Sequence, residues 1–251
     1  MNDVGLAVLS PETQASSRAA VLMPALVDST FDYLVPAGME EGALVEAPLA
    51  GRKLVGVVWE KESANRRSPV SSKEIPLSKL KPITRRINNL PPLKKEFRAW
   101  LDWISEFTLA PKGAVLGLCG LAYAARTTRK KFEAQKFDIT LPALTDEQRV
   151  VEEAILKKAA LKPILLDGVT GSGKTEVYFH AIAEVVDSGA QVLVLLPEIS
   201  LTHQWLERFG KTFGVVPVVW HSRMAPAAKA RAWQAVARGE VQVVVGARSA
   251  L

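Results

Sequence analysis

The 251-residue chain is 48% hydrophobic and 23% charged, the balance of a folded globular protein with enough apolar residues for one large or two smaller cores. A single cysteine, Cys119, excludes an internal disulfide, and three scattered histidines (His180, His203 and His221) give no zinc spacing. The formal net charge of +6 is local: between Asn65 and Arg86 seven cations (Arg66, Arg67, Lys73, Lys79, Lys81, Arg85 and Arg86) stand against Glu74 alone, a cluster of the kind that attracts phosphate backbones.

At the amino-terminal end no basic region precedes the apolar stretch 19–27, and Pro24 interrupts that stretch. Neither a signal peptide nor a membrane span fits, so the cytoplasm is the expected compartment. Short strands are expected at 20–27, 31–35, 43–47 and 54–59, separated by the turn signals Asp28-Ser29-Thr30, Pro36-Ala37-Gly38 and Gly51-Arg52-Lys53. Residues 61–90 are polar and basic with little periodicity and read as a loop. Residues 1–90 therefore read as a small all-β domain with a basic loop. From 93 to 109 the pattern turns helical, with Phe97, Trp100, Leu101, Ile104 and Phe107 on one side and expected in a core. A second basic cluster, Arg126, Arg129, Lys130, Lys131 and Lys136, follows. Residues 91–143 read as a helical and basic connector.

Residues 144–251 have a different grammar. A helix is expected from Thr145 to about Lys158; strands at 163–167, 191–197, 215–221 and 241–247 alternate with helices near 174–188, 201–212 and 226–238. Alternation of this kind predicts a parallel sheet with helices on both faces, because each parallel crossover needs a long connection. A nucleotide is expected at the carboxyl ends of those strands. The fold class is α/β overall.

The strand at 163–167 runs into Gly168-Val169-Thr170-Gly171-Ser172-Gly173-Lys174-Thr175, a full G-x-x-x-x-G-K-[ST] match followed by a helix. Its glycines let backbone N–H groups converge on phosphate oxygens, and the helix start adds its positive dipole end. Lys174 would neutralise β/γ-phosphate charge and Thr175 would offer a hydroxyl to Mg²⁺. A nucleoside triphosphate with Mg²⁺ is the expected ligand, with Lys174 and Thr175 the catalytic candidates. Ahead of the loop, Thr145-Asp146-Glu147-Gln148 fits a capping box, in which Gln148 reaches back to the Thr145 N–H. The amide of Gln148 cannot fully serve this cap and a bound base together. His221 and Arg223 carry no assignment.

"GVTGSGKTEVY" (168–178), "LVLLPEISLTHQ" (193–204) and "VVVGARSAL" (243–251) together closely resemble the primosomal replication-restart helicases of superfamily two. The resemblance implies an ATP-dependent 3′-to-5′ DNA helicase acting at stalled forks, with a RecA-like first lobe in residues 144–251. It implies adenine contact by Gln148, and it sets Pro197, Glu198, Thr202, Gly246, Arg248 and Ser249 in motor segments beside single-stranded DNA. "STFDYLVPAGM" (29–39) and "VEAPLAGRKLVGVVWE" (45–60) look like that family's amino-terminal domain, which captures a 3′ DNA end. There Phe31, Asp32 and Tyr33 would form the end-binding pocket, with Arg52 and Lys53 beside the DNA. Aromatic rings can stack on a terminal base while a carboxylate accepts a hydrogen bond from a 3′-hydroxyl.

Forked and single-stranded DNA are the implied substrates, and single-strand-binding protein and primosome components the implied partners, with no membrane involved. Three departures from the family pattern stand out. The stretch before Thr145 is too short for the family's winged helix, no D-E-x-x segment follows the phosphate loop, and the zinc-binding cysteines are missing. The 251 residues are expected to end inside the first lobe and to lack ATP turnover on their own. The alternative reading is a stand-alone fork-DNA-binding module with a vestigial phosphate loop.

Overall fold

The computed structural model describes residues 16–60, 75–127, 132–158, 162–197, 203–247 and 250. The chain divides into two compact units, residues 1–129 and 130–251.

The first unit is built on β1 (Ser16–Leu22), β2 (Phe31–Pro36), β3 (Leu44–Leu49), β4 (Arg52–Trp59) and β5 (Arg85–Arg86), in the order β2-β1-β4-β3-β5 with every pairing antiparallel. Ala50 and Gly51 turn β3 into β4 with positive φ at both residues (48° and 78°), the twist a two-residue hairpin needs. The stretch from Lys81 to Ile87 joins the two edges of the sheet. On one side Leu34 N–H donates to the Lys81 carbonyl (2.9 Å) and Ile83 N–H to the Leu34 carbonyl (3.1 Å). On the other, Thr84 N–H donates to the Glu46 carbonyl (2.7 Å) and Ile87 N–H to the Leu44 carbonyl (2.9 Å). The sheet is thereby closed into a small barrel, which satisfies backbone groups an open edge would expose. Val21, Met23, Tyr33, Val35, Val45, Ala47, Val58 and Ile83 fill it.

Two of the seven cations of the basic cluster are consumed by this closure. Arg85 Nε donates to Glu46 Oε2 at 2.9 Å, and Arg86 Nη2 to Glu40 Oε1 at 2.5 Å. These arginines pair with a carboxylate of β3 and one of the turn before it, and are not members of a solvated loop. Arg66, Arg67 and Lys73 lie outside the described residues.

Two helices complete the unit, α1 (Lys95–Thr108) and α2 (Lys112–Leu118). The expectation that the α1 aromatics pack into a core is overturned. Phe97, Trp100 and Phe107 are 36%, 46% and 74% exposed, as is Trp103 at 57%. They pair with one another instead, Phe97 on Trp100 (5.4 Å between centroids) and Trp103 on Phe107 (5.2 Å). The buried face is Arg98, Leu101 and Ser105, and Arg98 reaches Glu41 (3.3 Å) and Glu60 (3.5 Å). A helix buries the stripe its neighbours can satisfy, and two glutamates beneath α1 select the arginine.

The second unit contains α3 (Asp146–Lys158), α4 (Lys174–Asp187), β6 (Val192–Leu195), α5 (His203–Phe213), β7 (Val218–Trp220), α6 (Pro226–Ala237) and β8 (Val243–Gly246). Its sheet has the order β6-β8-β7, all parallel. One face packs on α4 and α5 through Phe179, Ile182, Val186, Phe209, Phe213 and Val243. The other packs on α6 through Ala232, Ala235, Val218 and Val244. Among the described residues β6 is covered on one side only, since Leu193 and Leu195 are 46% and 44% exposed. The expected strand at 163–167 is corrected: the segment joins no ladder among the described residues, and Leu165 is 90% exposed. A strand exists only through a neighbour's peptide groups, and none of β6, β7 or β8 supplies them here.

The residues read as a connector are shared between the units. α1 and α2 lie in the first, whereas residues 132–141 run along the second, with Asp138 N–H donating to the Phe213 carbonyl (3.0 Å) and Thr140 N–H to the Thr212 carbonyl (2.7 Å). Gln135 clamps the same region: its Oε1 accepts from the Gln242 and Val243 N–H groups at 2.8 and 2.9 Å.

Candidate nucleotide site and DNA-binding face

The phosphate loop spans residues 168–175 and leads directly into α4. Gly173, with φ 80°, is the residue before the helix, and no side chain caps that end. The first-turn N–H groups of α4 therefore point toward the loop without a side-chain acceptor, the arrangement a phosphate oxygen completes. Lys174 folds back onto the loop, its Nζ donating to the Gly168 carbonyl (2.5 Å) and the Val169 carbonyl (2.8 Å). Gly168 N–H is held by Asp167 Oδ1 at 2.8 Å, and Ser172 N–H donates to the Val169 carbonyl at 3.2 Å. Thr170 and Gly171 lie at the exposed crest, and Thr175 sits half-buried at the start of α4.

Gln148 lies against this loop. Thr145 N–H donates to Gln148 Oε1 (2.9 Å), Gln148 N–H donates to Thr145 Oγ1 (3.3 Å), and Gln148 Nε2 donates to the Ser172 carbonyl (3.1 Å). The capping box is formed, and the same amide grips the phosphate loop. The positive φ favours glycine at 173, and a Cβ there would lie 2.1 Å from Gln148 Nε2 and push that amide aside. An amide has two N–H groups and two oxygen lone pairs, and these contacts use one of each. The remaining N–H and lone pair match the N7 acceptor and N6 donor of adenine; guanine offers two acceptors on that edge and does not match.

The motor segments are described in part. Pro197 is exposed past the end of β6. Gly246 is buried at the end of β8, where a Cβ would lie 2.5 Å from the Trp220 carbonyl oxygen, and its own carbonyl accepts from Leu196 N–H at 2.9 Å. Its observed part is close packing between strands. Glu198, Thr202, Arg248 and Ser249 lie outside the described residues.

In the first unit β2 alternates its side chains, and this separates the three residues read as one pocket. Tyr33 is buried at 3%, and its hydroxyl donates to the Pro48 carbonyl at 2.8 Å. Burial raises its ionisation above the usual tyrosine value. Phe31 packs beside it against the same core. Asp32 takes the opposite face and stands 3.6 Å from the Arg18 guanidinium. Stacking of a terminal base on the Tyr33 ring is therefore corrected, since that ring is spent on the core. Arg52 and Lys53 are exposed at the tip of the β3–β4 hairpin. Sequence reading missed Arg18, and it saw Lys79 and Lys81 only as loop charge. Both lysines are exposed in the stretch that leads into the barrel-closing segment beside β2. The pairing of residue 81 with residue 34 is long-range, and no local pattern announces it. Cys119 is no candidate nucleophile, because burial pushes its thiol up to about 11.

A barrel with a carboxylate and exposed cations on its flank is followed by a parallel α/β unit whose phosphate loop is gripped by a glutamine, the arrangement of the phosphate-loop α/β class. Residues 145–251 match the DEAD/DEAH box helicase family, and residues 20–119 match a family described as a 3′ DNA-binding domain. The chain is 33% identical over 237 residues to a replication restart protein PriA from Rickettsia felis, covering 93% of this chain and 35% of that protein. It is 45% identical over 127 residues to the PriA of Bacillus subtilis (49% of this chain, 16% of that protein) and 32% identical over 211 residues to that of Helicobacter pylori (84% and 31%). The chain belongs to the replication restart PriA family and corresponds to its amino-terminal region. It spans about a third of the length of the Rickettsia relatives it matches.

Proposed function

We propose that these 251 residues form the fork-recognition and ATP-binding portion of a 3′-to-5′ replication-restart helicase. The barrel takes a 3′ DNA end beside Asp32, and the second unit takes ATP with Mg²⁺ at the phosphate loop. The observation that carries the reading is the Gln148 amide on the Ser172 carbonyl, which leaves adenine-matching groups beside a phosphate cradle. The loop residues fit the metal–nucleotide complex: the Thr175 hydroxyl would hold Mg²⁺, and Lys174, now on the loop carbonyls, would hold the phosphates. Magnesium neutralises phosphate charge when bound; the chain's own part is to hold and orient the triphosphate. Residues 1–251 contain no D-E-x-x segment after the phosphate loop, so by themselves they bind ATP without measurable turnover. Single-strand-binding protein and primosome components are the partners, and the cytoplasm is the compartment.

At the DNA end, Asp32 accepts the 3′-hydroxyl hydrogen while neighbouring cations hold the backbone. Fluorescence anisotropy at fixed salt should show tighter binding to a recessed 3′-hydroxyl end than to the same end carrying a 3′-phosphate, which Asp32 repels. Asp32→Ala should erase that preference. Equal affinity of the wild-type chain for both ends would refute the assignment.

A further inference from the structure

One ring on α4 holds both sides of the adenine reader. His180 Nδ1 lies 2.7 Å from Glu152 Oε1 and its Nε2 lies 3.0 Å from the Pro142 carbonyl oxygen. Glu152 is on α3 one turn beyond Gln148 and on the same face; Pro142 lies in the approach to the Thr145 cap. The first turn of a helix is where fraying begins, and Gln148 occupies it. Its contact with Ser172 is solvent-exposed and weakly protected on its own. The Glu152 contact is better shielded, with the His180 and Glu152 side chains 16% and 22% exposed, while the Pro142 contact lies at the surface. A carboxylate and a carbonyl are both acceptors, so each contact is made by the ring nitrogen that carries a proton toward it.

We propose that His180 is a positioning residue for base recognition: by pinning Pro142 and Glu152 to α4, it holds Gln148 where its amide meets the nucleotide base. The inference rests on the reading of Gln148 as the adenine contact. His180 touches neither base nor phosphate in this scheme. It couples the helix that carries Lys174 to the helix that carries Gln148, so that base and triphosphate are read by one rigid pair.

The test is displacement of a fluorescent ATP analogue by ATP, GTP and inorganic tripolyphosphate, on the 251-residue chain and its variants. The wild type should favour ATP over GTP by on the order of tenfold, the discrimination of one bidentate amide contact. Gln148→Ala and His180→Phe should each bring that ratio close to one, while tripolyphosphate affinity in His180→Phe stays as in the wild type. The double variant should match Gln148→Ala alone. Glu152→Ala should reproduce His180→Phe, which keeps the test alive if the latter misfolds, and Glu152→Gln, which preserves an acceptor, should retain the wild-type ratio. A normal ratio in both His180→Phe and Glu152→Ala, with the ratio lost in Gln148→Ala, overturns the role of His180 and leaves the adenine reading standing. An unchanged ratio in Gln148→Ala removes the adenine reading and this inference with it.

Discussion

Gln148 and Ser172 are joined by a 3.1 Å hydrogen bond from the glutamine Nε2 to the serine carbonyl, so the start of α3 and the crest of the phosphate loop are one structural piece. Gln148→Glu separates the two duties of that side chain. A carboxylate still accepts the Thr145 N–H and suits a helix start, but it cannot donate to Ser172 and it repels phosphate. The melting temperature of the second unit should move little while ATP affinity falls by about tenfold or more. Gln148→Ala should lower both, with about 1 kcal/mol lost from the cap. Calorimetry and nucleotide titration on the same samples check the split.

Lys174 donates to two loop carbonyls, and both contacts are exposed. Lys174→Ala should therefore cost little stability without nucleotide. ATP with Mg²⁺ at a hundred times its dissociation constant should stabilise the wild-type second unit by about 2.7 kcal/mol. That thermal shift should vanish in Lys174→Ala; a variant that keeps it would remove the lysine from phosphate binding.

Tyr33 predicts a pH effect in the first unit. Its buried hydroxyl ionises above the ordinary tyrosine value, so folding favours the neutral form. The stabilising contribution is whole below about pH 10, the unfolded value, and is lost as pH rises through the higher folded one. Tyr33→Phe should cost about 1 kcal/mol at neutral pH, where the Pro48 carbonyl loses its donor. It should also flatten the alkaline fall in melting temperature. An alkaline profile identical to the wild type would show that another group governs it.

The arginines of β5 and the cations of the hairpin tip should behave differently on DNA. Arg52→Gln and Lys53→Gln, at exposed positions, should each lower the slope of log affinity against log salt by about 0.7 to 0.9 if each meets a phosphate. Arg85→Gln and Arg86→Gln should leave that slope unchanged, because their guanidinium groups already face Glu46 and Glu40. They should cost stability of up to about 1 kcal/mol, in line with part-exposed ion pairs. Salt titrations of forked DNA binding distinguish the two pairs of residues.

Legibility in the sequence followed the range of the interactions. The phosphate loop, the capping box and the alternating helices and strands are written in windows of a few residues, and Gln148 could be singled out for that reason. The contact between Gln148 and Ser172 joins residues 24 apart and needed the fold. The face of α1 was misread because Arg98 and Ser105 look like solvent residues until Glu41 and Glu60 are seen beneath them. Tyr33 was assigned outward because a motif names residues without saying which way a strand turns them. The segment 163–167 has the composition of a strand, but pairing is a property of two segments, and composition describes one.

Closure of the barrel by residues 81–87 makes its last piece responsible for its first. Leu34 is satisfied only while Lys81 and Ile83 stay in place, and Leu44 and Glu46 depend on the same stretch from the other side. No strand can peel away alone, because detaching the stretch frees backbone groups on β2 and β3 at once. The amide protons of Leu34, Ile83, Thr84 and Ile87 should therefore exchange with solvent at a common rate, set by global opening of the unit and not by fraying. Pulled from its carboxy-terminal side, the first unit should hold until it yields in a single step.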